Sequence, residues 1–326
     1  MIYVSTSNRS IAVIDGSTNK ISINYTFSCG SPSNLAFDTK DQILYSVFQD
    51  QNPDNCQGGG SVDTLVGINV TSDTIISGSS NIGTIWGVAY DQQANLLIVE
   101  ASNSTVPAFL ALLNASNETR EGTIALQAGF SGVGGPAFGP IVYDSTNGLA
   151  YVVWGIAGAT NLNYAASIVN VTSKSIVGSF NPEAGDEPPS QLAINSNNGD
   201  VYVSESGVGN CIGYNDCPFL AGQNITVLSG NITSNSYNIN PGNNESSLGA
   251  IAYDGSSNAI FVANGTAGVA GLDNISIVNA ATGKVSGVLG VNSAIQNLFV
   301  DPAATGATSW LYVATSSGLY VVAVND

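Results

Sequence analysis

The sequence predicts an all-β fold, a seven-bladed β-propeller of mainly four-stranded antiparallel blades, with six blades as the alternative. Three observations predict it. Short runs alternate between apolar and polar residues along the whole chain, an apolar run closed by Asp or Asn returns about every fifty residues, and no stretch has a helical period.

The building unit is present at once in IYVSTSNRSIAVIDGSTNKISINYTF, where IYVS, SIAVID and KISINYTF read as strands separated by Ser/Asn/Gly/Thr turns. The same pattern returns in NLAFDTKDQILYSVF, GVAYDQQANLLIVEAS, PIVYDSTNGLAYVVWG, QLAINSNNGDVYVSES, AIAYDGSSNAIFVANG and NLFVDPAATGATSWLYVATS. Asp38, Asp91, Asp144, Asn195, Asp254 and Asp301 close the first strand of each unit, strand a. The b strands centre on Tyr3, Tyr45, Ile98, Tyr151, Tyr202, Phe261 and Tyr312. The c strands end near Asp15, Asn69, Asn114, Asn170, Ser229, Asn279 and Asn325. Seven b–c pairs mean seven blades, the first without an a strand and the last without a d strand. Ala36, Gly87, Ala193 and Ala252 keep the a strands small where blades crowd at their inner ends. LALLNASNETREG has the look of a short helix, but its place in the repeat makes it strand c and the c–d turn. Residues 1–326 read as a single propeller domain.

Composition narrows the chemistry. With 6 Lys+Arg against 23 Asp+Glu, the net charge of −17 repels phosphate backbones and excludes nucleic acid as a partner. No histidine is present, which removes the usual general base near neutral pH and the commonest transition-metal ligand. No apolar run is long enough to span a bilayer, so direct membrane insertion is not expected. MIYVSTSNRS lacks the basic and apolar regions of a signal peptide, so the expectation is a removed signal or a piece of a longer surface protein. The scarcity of Lys and Arg also limits positive self-repulsion in acid, where carboxylates are neutral, and points to an acidic exterior.

IYVSTSNRSIAVIDGSTNKI resembles the YVTN-type propeller repeat, with VYVSES and LYVATS as weaker copies. The resemblance implies a seven-bladed propeller of the kind found in archaeal and bacterial surface or surface-layer proteins, and no common catalytic site. Some related propellers are lactonases, so the fold alone does not decide the function.

Cys29, Cys56, Cys211 and Cys217 allow three pairings. Loops d–a and b–c open on one face of a propeller, which selects Cys29–Cys56 and Cys211–Cys217; zinc is a poor match to Cys-x5-Cys without His. Glycosylation sequons stand at Asn8, Asn24, Asn69, Asn103, Asn114, Asn117, Asn170, Asn224, Asn231, Asn244, Asn264 and Asn274, mostly on c strands, c–d turns and long loops. The loop face also gathers Asp50, Asp54, Glu183, Asp186, Glu187, Glu205, Asp216 and Glu245. Solvated charge is the plain reading of these groups. A Ca²⁺ site built on Glu183, Asp186, Glu187 and Glu205 is the other, with Glu205, directly after a b strand, the best-positioned carboxylate. No other cofactor is expected. Trp86 and Trp154 sit at strand ends near this face, as core edges or as sugar platforms.

The sequence therefore predicts a non-catalytic, extracellular cell-surface protein: a surface-layer, filament or adhesion component that binds protein or glycan through its loops, with self-association open. The alternatives are a secreted carboxylate- or Ca²⁺-dependent hydrolase or lactonase, and a carbohydrate-binding module.

Overall fold

A computed structural model describes residues 1–6, 8–28, 30–48, 63–79, 82–103, 106, 108–126, 136–157, 162–180, 189–205, 224–239, 246–266, 273–301 and 308–324. The strands form seven sheets, each made of consecutive strands in chain order. The first holds β1 (Ile2–Thr6), β2 (Ser10–Asp15) and β3 (Lys20–Thr26). The second holds β4 (Pro32–Asp38), β5 (Ile43–Phe48), β6 (Thr64–Asn69) and β7 (Thr74–Ser79). The third contains β8 (Thr84–Asp91), β9 (Leu96–Ser102), β10 (Phe109–Asn114) and β11 (Arg120–Ala125). In the fourth are β12 (Pro136–Asp144), β13 (Leu149–Ala157), β14 (Leu162–Asn170) and β15 (Ser175–Phe180). β16 (Pro189–Asn195), β17 (Asp200–Glu205), β18 (Asn224–Ser229) and β19 (Ile232–Asn238) make the fifth. β20 (Ser246–Asp254), β21 (Ala259–Thr266), β22 (Asp273–Asn279) and β23 (Val285–Val291) make the sixth. The last has only β24 (Ile295–Asp301), β25 (Ser309–Thr315) and β26 (Gly318–Val324). No helix occurs among the described residues.

This is the seven-bladed, all-β propeller fold that the repeats predict. The segment 110–122, which has the look of a helix, falls on β10, a turn and β11. The first sheet begins at the b position and the last stops at the c position, as the uneven ends of the repeat require.

The chain divides into two compact units, one of Met1–Gly132, Pro136–Val152 and Val169–Ile176, the other of Val133–Gly135, Val153–Ile168 and Val177–Asp326. In the first unit, Ile11, Phe27, Leu44, Phe48 and Ile68 form one apolar layer between the first two sheets. Tyr45, Val47, Leu65, Leu97, Val99 and Phe109 form the next layer, between the second and third. In the second unit Tyr202, Ile225, Leu248 and Ile260 join the fifth and sixth sheets, and Phe261, Ile275, Leu298 and Leu311 join the sixth and seventh. The reason is geometric: side chains alternate across a strand, so each sheet has two faces to bury and each neighbour covers one.

The turns follow one rule. A strand ends on Asp or Asn, and the residue four places later takes a left-handed backbone. The pairs in a–b turns are Asp38 and Gln42, Asp91 and Asn95, Asp144 and Gly148, Asn195 and Gly199, Asp254 and Asn258. Asp15 with Asn19, Asn69 with Asp73, Asn114 with Glu118, Asn170 with Lys174 and Asn279 with Gly283 repeat it in c–d turns. The side-chain oxygen of the first residue accepts turn N–H groups, and its carbonyl accepts the N–H of the left-handed residue, as Gly283 N–H donates to Asn279 O at 2.8 Å. Glycine is required at 283: its φ is 66°, and a Cβ there would meet the Tyr237 ring at 2.2 Å. Ser229 is the exception, followed at once by left-handed Gly230.

Candidate functional site

The a–b turns bury carboxylates. Asp38 Oδ1 accepts the N–H groups of Lys40 and Asp41 at 2.8 and 3.0 Å, and Asp91 Oδ1 accepts those of Gln93 and Ala94 at 2.9 and 3.1 Å. Asp144 Oδ1 takes both the N–H and the hydroxyl of Thr146, and Asn195 takes the N–H of Asn197. Asp254 is the richest. Ser256 donates from its N–H and its hydroxyl, the Ser257 hydroxyl donates at 2.7 Å, and the hydroxyl of Ser309 on β25 donates at 3.2 Å. Burial alone raises the pKa of Asp254, but these hydrogen bonds outweigh it and hold the carboxyl below its ordinary value.

The same residues tie neighbouring sheets together. Tyr90 lies by Asp38 of the preceding sheet and Tyr143 by Asp91; burial first, and then these carboxylates, push both phenols well above the ordinary tyrosine range. Two further aspartates reach across seams from the starts of c strands. Asp63 Oδ2 accepts the Ile85 N–H at 2.7 Å, and Asp273 Oδ2 accepts the Ile295 N–H at 2.7 Å. Each holds the N–H of a residue that borders a bulge in the next sheet's first strand, a group that the ladder leaves without a regular partner. Sequence reasoning missed this pair. Its signal is an Asp at the head of a c strand, 22 residues before an Ile that opens the next a strand.

Glu100 stands apart. It lies on β9, is fully enclosed, and neither carboxyl oxygen has a hydrogen-bond partner among the described residues. Gly87 on β8 is opposite it in register; a Cβ at Gly87 would come within 2.9 Å of Ile141 Cγ2 and 3.4 Å of Glu100 Oε2. The absent side chain at 87 leaves room for Ile141 to approach the strand, and the Glu100 carboxyl lies in ordinary contact with that space. Burial pushes its pKa well above the ordinary carboxylate range. Its trace in the sequence is one acid in the apolar strand LLIVEAS.

Of the Ca²⁺ candidates, only Glu205 is described. It is buried at the end of β17 and its Oε1 accepts the Thr226 hydroxyl at 2.5 Å. Glu183, Asp186 and Glu187 lie outside the described residues, as do Asp50, Asp54, Asp216 and Glu245. So do Cys29, Cys56, Cys211 and Cys217, and with them both disulfides. Among the described residues no group of three or more acids or cysteines is placed to hold a metal. The Trp86 ring is half-buried and its indole N–H donates to Ser102 Oγ at 3.3 Å, the setting of a core edge.

The sequons divide by environment. Asn8, Asn24, Asn103, Asn117, Asn231 and Asn274 are exposed. Asn69, Asn114 and Asn170 end c strands half-buried, their Oδ1 atoms accepting turn N–H groups; Asn224 is half-buried at the head of β18. Asn264 corrects the expectation: it is 4% exposed on β21, so the folded sheet leaves a glycan no room there. Asn244 lies outside the described residues.

No family model matches the chain, and no curated protein matches its sequence. Solved structures do match its fold. Hydrazine synthase of Kuenenia stuttgartiensis is 12% identical with a TM-score of 0.69, over 98% of this chain and 90% of that one. The β-propeller domain of Cps50 (Swd1) from Myceliophteria thermophila is 8% identical with a TM-score of 0.68, over 99% of this chain and 93% of that one. At these identities the likeness is one of fold alone.

Proposed function

We propose that this propeller is a non-catalytic component of an extracellular cell surface, part of a surface layer, filament or adhesion structure that binds protein or glycan through its loops. One observation carries the reading furthest. The polar side chains that recur with the repeat are spent on its architecture: Asp38, Asp91, Asp144, Asn195 and Asp254 satisfy their own turns, and Asp63 and Asp273 latch neighbouring sheets. A repeat whose polar positions, where they are described, serve its own framework is a scaffold that leaves recognition to the loops.

Three further features support it. Six sequons present exposed asparagines, a chain without histidine lacks the usual proton shuttle, and the first blade's YVTN-type sequence is of the kind found in surface proteins. The test is made on native cells. A membrane-impermeant amine label applied to intact cells should mark the chain, and its tryptic peptides should carry hexose increments at Asn117 or Asn231. Labelling only after lysis, with unmodified peptides, rejects the reading. Turnover of a lactone or ester panel by the purified chain rejects its non-catalytic part.

A further inference from the structure

One position of the repeat, near the end of the b strand and the start of the c strand, is filled differently from sheet to sheet. In the fifth sheet it holds Glu205 on β17 and Thr226 on β18. Val203 is opposite Thr226, and Glu205 stands two residues beyond Val203 on the same face, so the pair meets diagonally across the ladder. Both residues are buried, and the Thr226 hydroxyl donates to Glu205 Oε1 at 2.5 Å. The second and third sheets carry apolar pairs on the same diagonal, Phe48 with Val66 and Ala101 with Ala111.

The sixth sheet places Asn264 on β21 and Ser276 on β22 there. Val262 is opposite Ser276, and Asn264 stands two residues further along. Asn264 is 4% exposed and Ser276 fully enclosed, yet neither Asn264 Oδ1 nor Ser276 Oγ has a hydrogen-bond partner among the described residues. Asparagine is one methylene shorter than glutamate, and its oxygen stops short of the hydroxyl that Glu205 reaches. Strand alternation turns both side chains toward the fifth sheet, on the side of Ile260, Val262 and Val278, which pack with Tyr202 and Ile225. This level of the seam already holds polar groups. The Ser204 hydroxyl donates to Gly249 O at 2.6 Å, and Leu248, next to Gly249, is the register partner of Asn264.

We propose that Asn264 and Ser276 form an internal binding site for one ordered water, which donates a hydrogen to Asn264 Oδ1 and accepts the Ser276 hydroxyl. Enclosed polar atoms are costly without partners, and a single water with two polar neighbours satisfies both. The sixth sheet thus makes through solvent the link that the fifth makes directly. Glu100 marks the contrast. Its register partners, Gly87 and Leu110, offer no polar side chain with which a water could complete a bridge. The inference stands whether or not the chain belongs to a cell surface.

The test is a high-resolution crystal structure of the whole chain, with cross-relaxation between long-lived water and the Ser276 protons read in solution. The wild type should show a density peak at about 2.8 Å from both oxygens, and the cross-relaxation with it. Asn264→Gln restores the missing methylene. Its amide should meet Ser276 directly, with loss of the peak and of the cross-relaxation. A wild type with no peak, its Asn264 amide turned directly onto Ser276, overturns the proposal, as does a peak that persists unchanged in the glutamine variant. Should that variant fail to fold, Asn264→Leu with Ser276→Ala takes its place, since it copies the apolar pairs of the second and third sheets. The cross-relaxation should vanish there too, and its persistence rejects the site.

Discussion

Asp254 and Glu100 are both carboxylic acids with no exposed surface, and their settings drive them in opposite directions. Asp254 ends an a strand, where its own turn and Ser309 of the next sheet bring four donors to it. Its pKa falls. Glu100 lies within a b strand, where the ladder uses the backbone donors, and neither carboxyl oxygen finds a hydrogen-bond partner among the described residues. Its pKa rises. Burial by itself does not set the state of an acid; the donors within reach do.

The largest effect should follow removal of the satisfied acid. Asp254→Ala strands three hydroxyls and one N–H, and is expected to cost about 3–4 kcal/mol in urea unfolding with an unchanged slope. A loss below about 1 kcal/mol would mean that the turn holds without its carboxylate.

Removal of the unsatisfied acid should have the opposite sign. Glu100→Leu is expected to stabilise the chain by about 1–3 kcal/mol at pH 7. The pH dependence distinguishes the two acids. A raised folded pKa gives Glu100 its stabilising influence below the unfolded value of about 4.3, and that influence is lost as pH rises from there toward the folded value. The lowered pKa of Asp254 works in reverse: its contribution is present above about 3.9 and is lost as pH falls through the folded value. The gain from Glu100→Leu should therefore shrink as pH falls from 7 toward 3, while the cost of Asp254→Ala should hold down to about pH 3.9 and shrink below it. Equal gains at pH 3 and pH 7 would contradict the enclosed, donor-free setting of Glu100.

Asp63 and Asp273 refine the comparison, since each acid serves one N–H across a seam. Asp63→Ala and Asp273→Ala should each cost about 1–2 kcal/mol, and a difference above about 1 kcal/mol between them would break their equivalence. The smallest effect is spectroscopic. Tyr202 is pushed up to about 12, mainly by burial, so it should ionise later than an exposed phenol in an absorbance titration. Because the folded pKa is raised, stability is unaffected below pH 10 and falls above it, as the unfolded chain ionises first.

Much of the framework was legible in the sequence because it is local. Alternation fixed which face each residue takes, and Asp or Asn at a strand end announced a turn whose donors lie two and three residues away. Asp38, Asp91, Asp144, Asn195, Asp254 and Asp301 each close a strand at the position read from the repeat. The candidate site was far less legible. Asn264 carries a valid sequon, yet it is enclosed by packing that the tripeptide does not encode. Glu205 was recognised as well placed, but its partner Thr226 lies on the next strand, beyond a long loop.

The amino-acid order by itself determined the strands, their turns and the number of sheets, because each depends on contacts within one hairpin. Only the tertiary structure decided which acids are satisfied and which are left without donors. Those outcomes depend on the groups a neighbouring sheet brings into reach: Ser309 donates to Asp254, whereas Glu100 has no hydrogen-bond partner among the described residues.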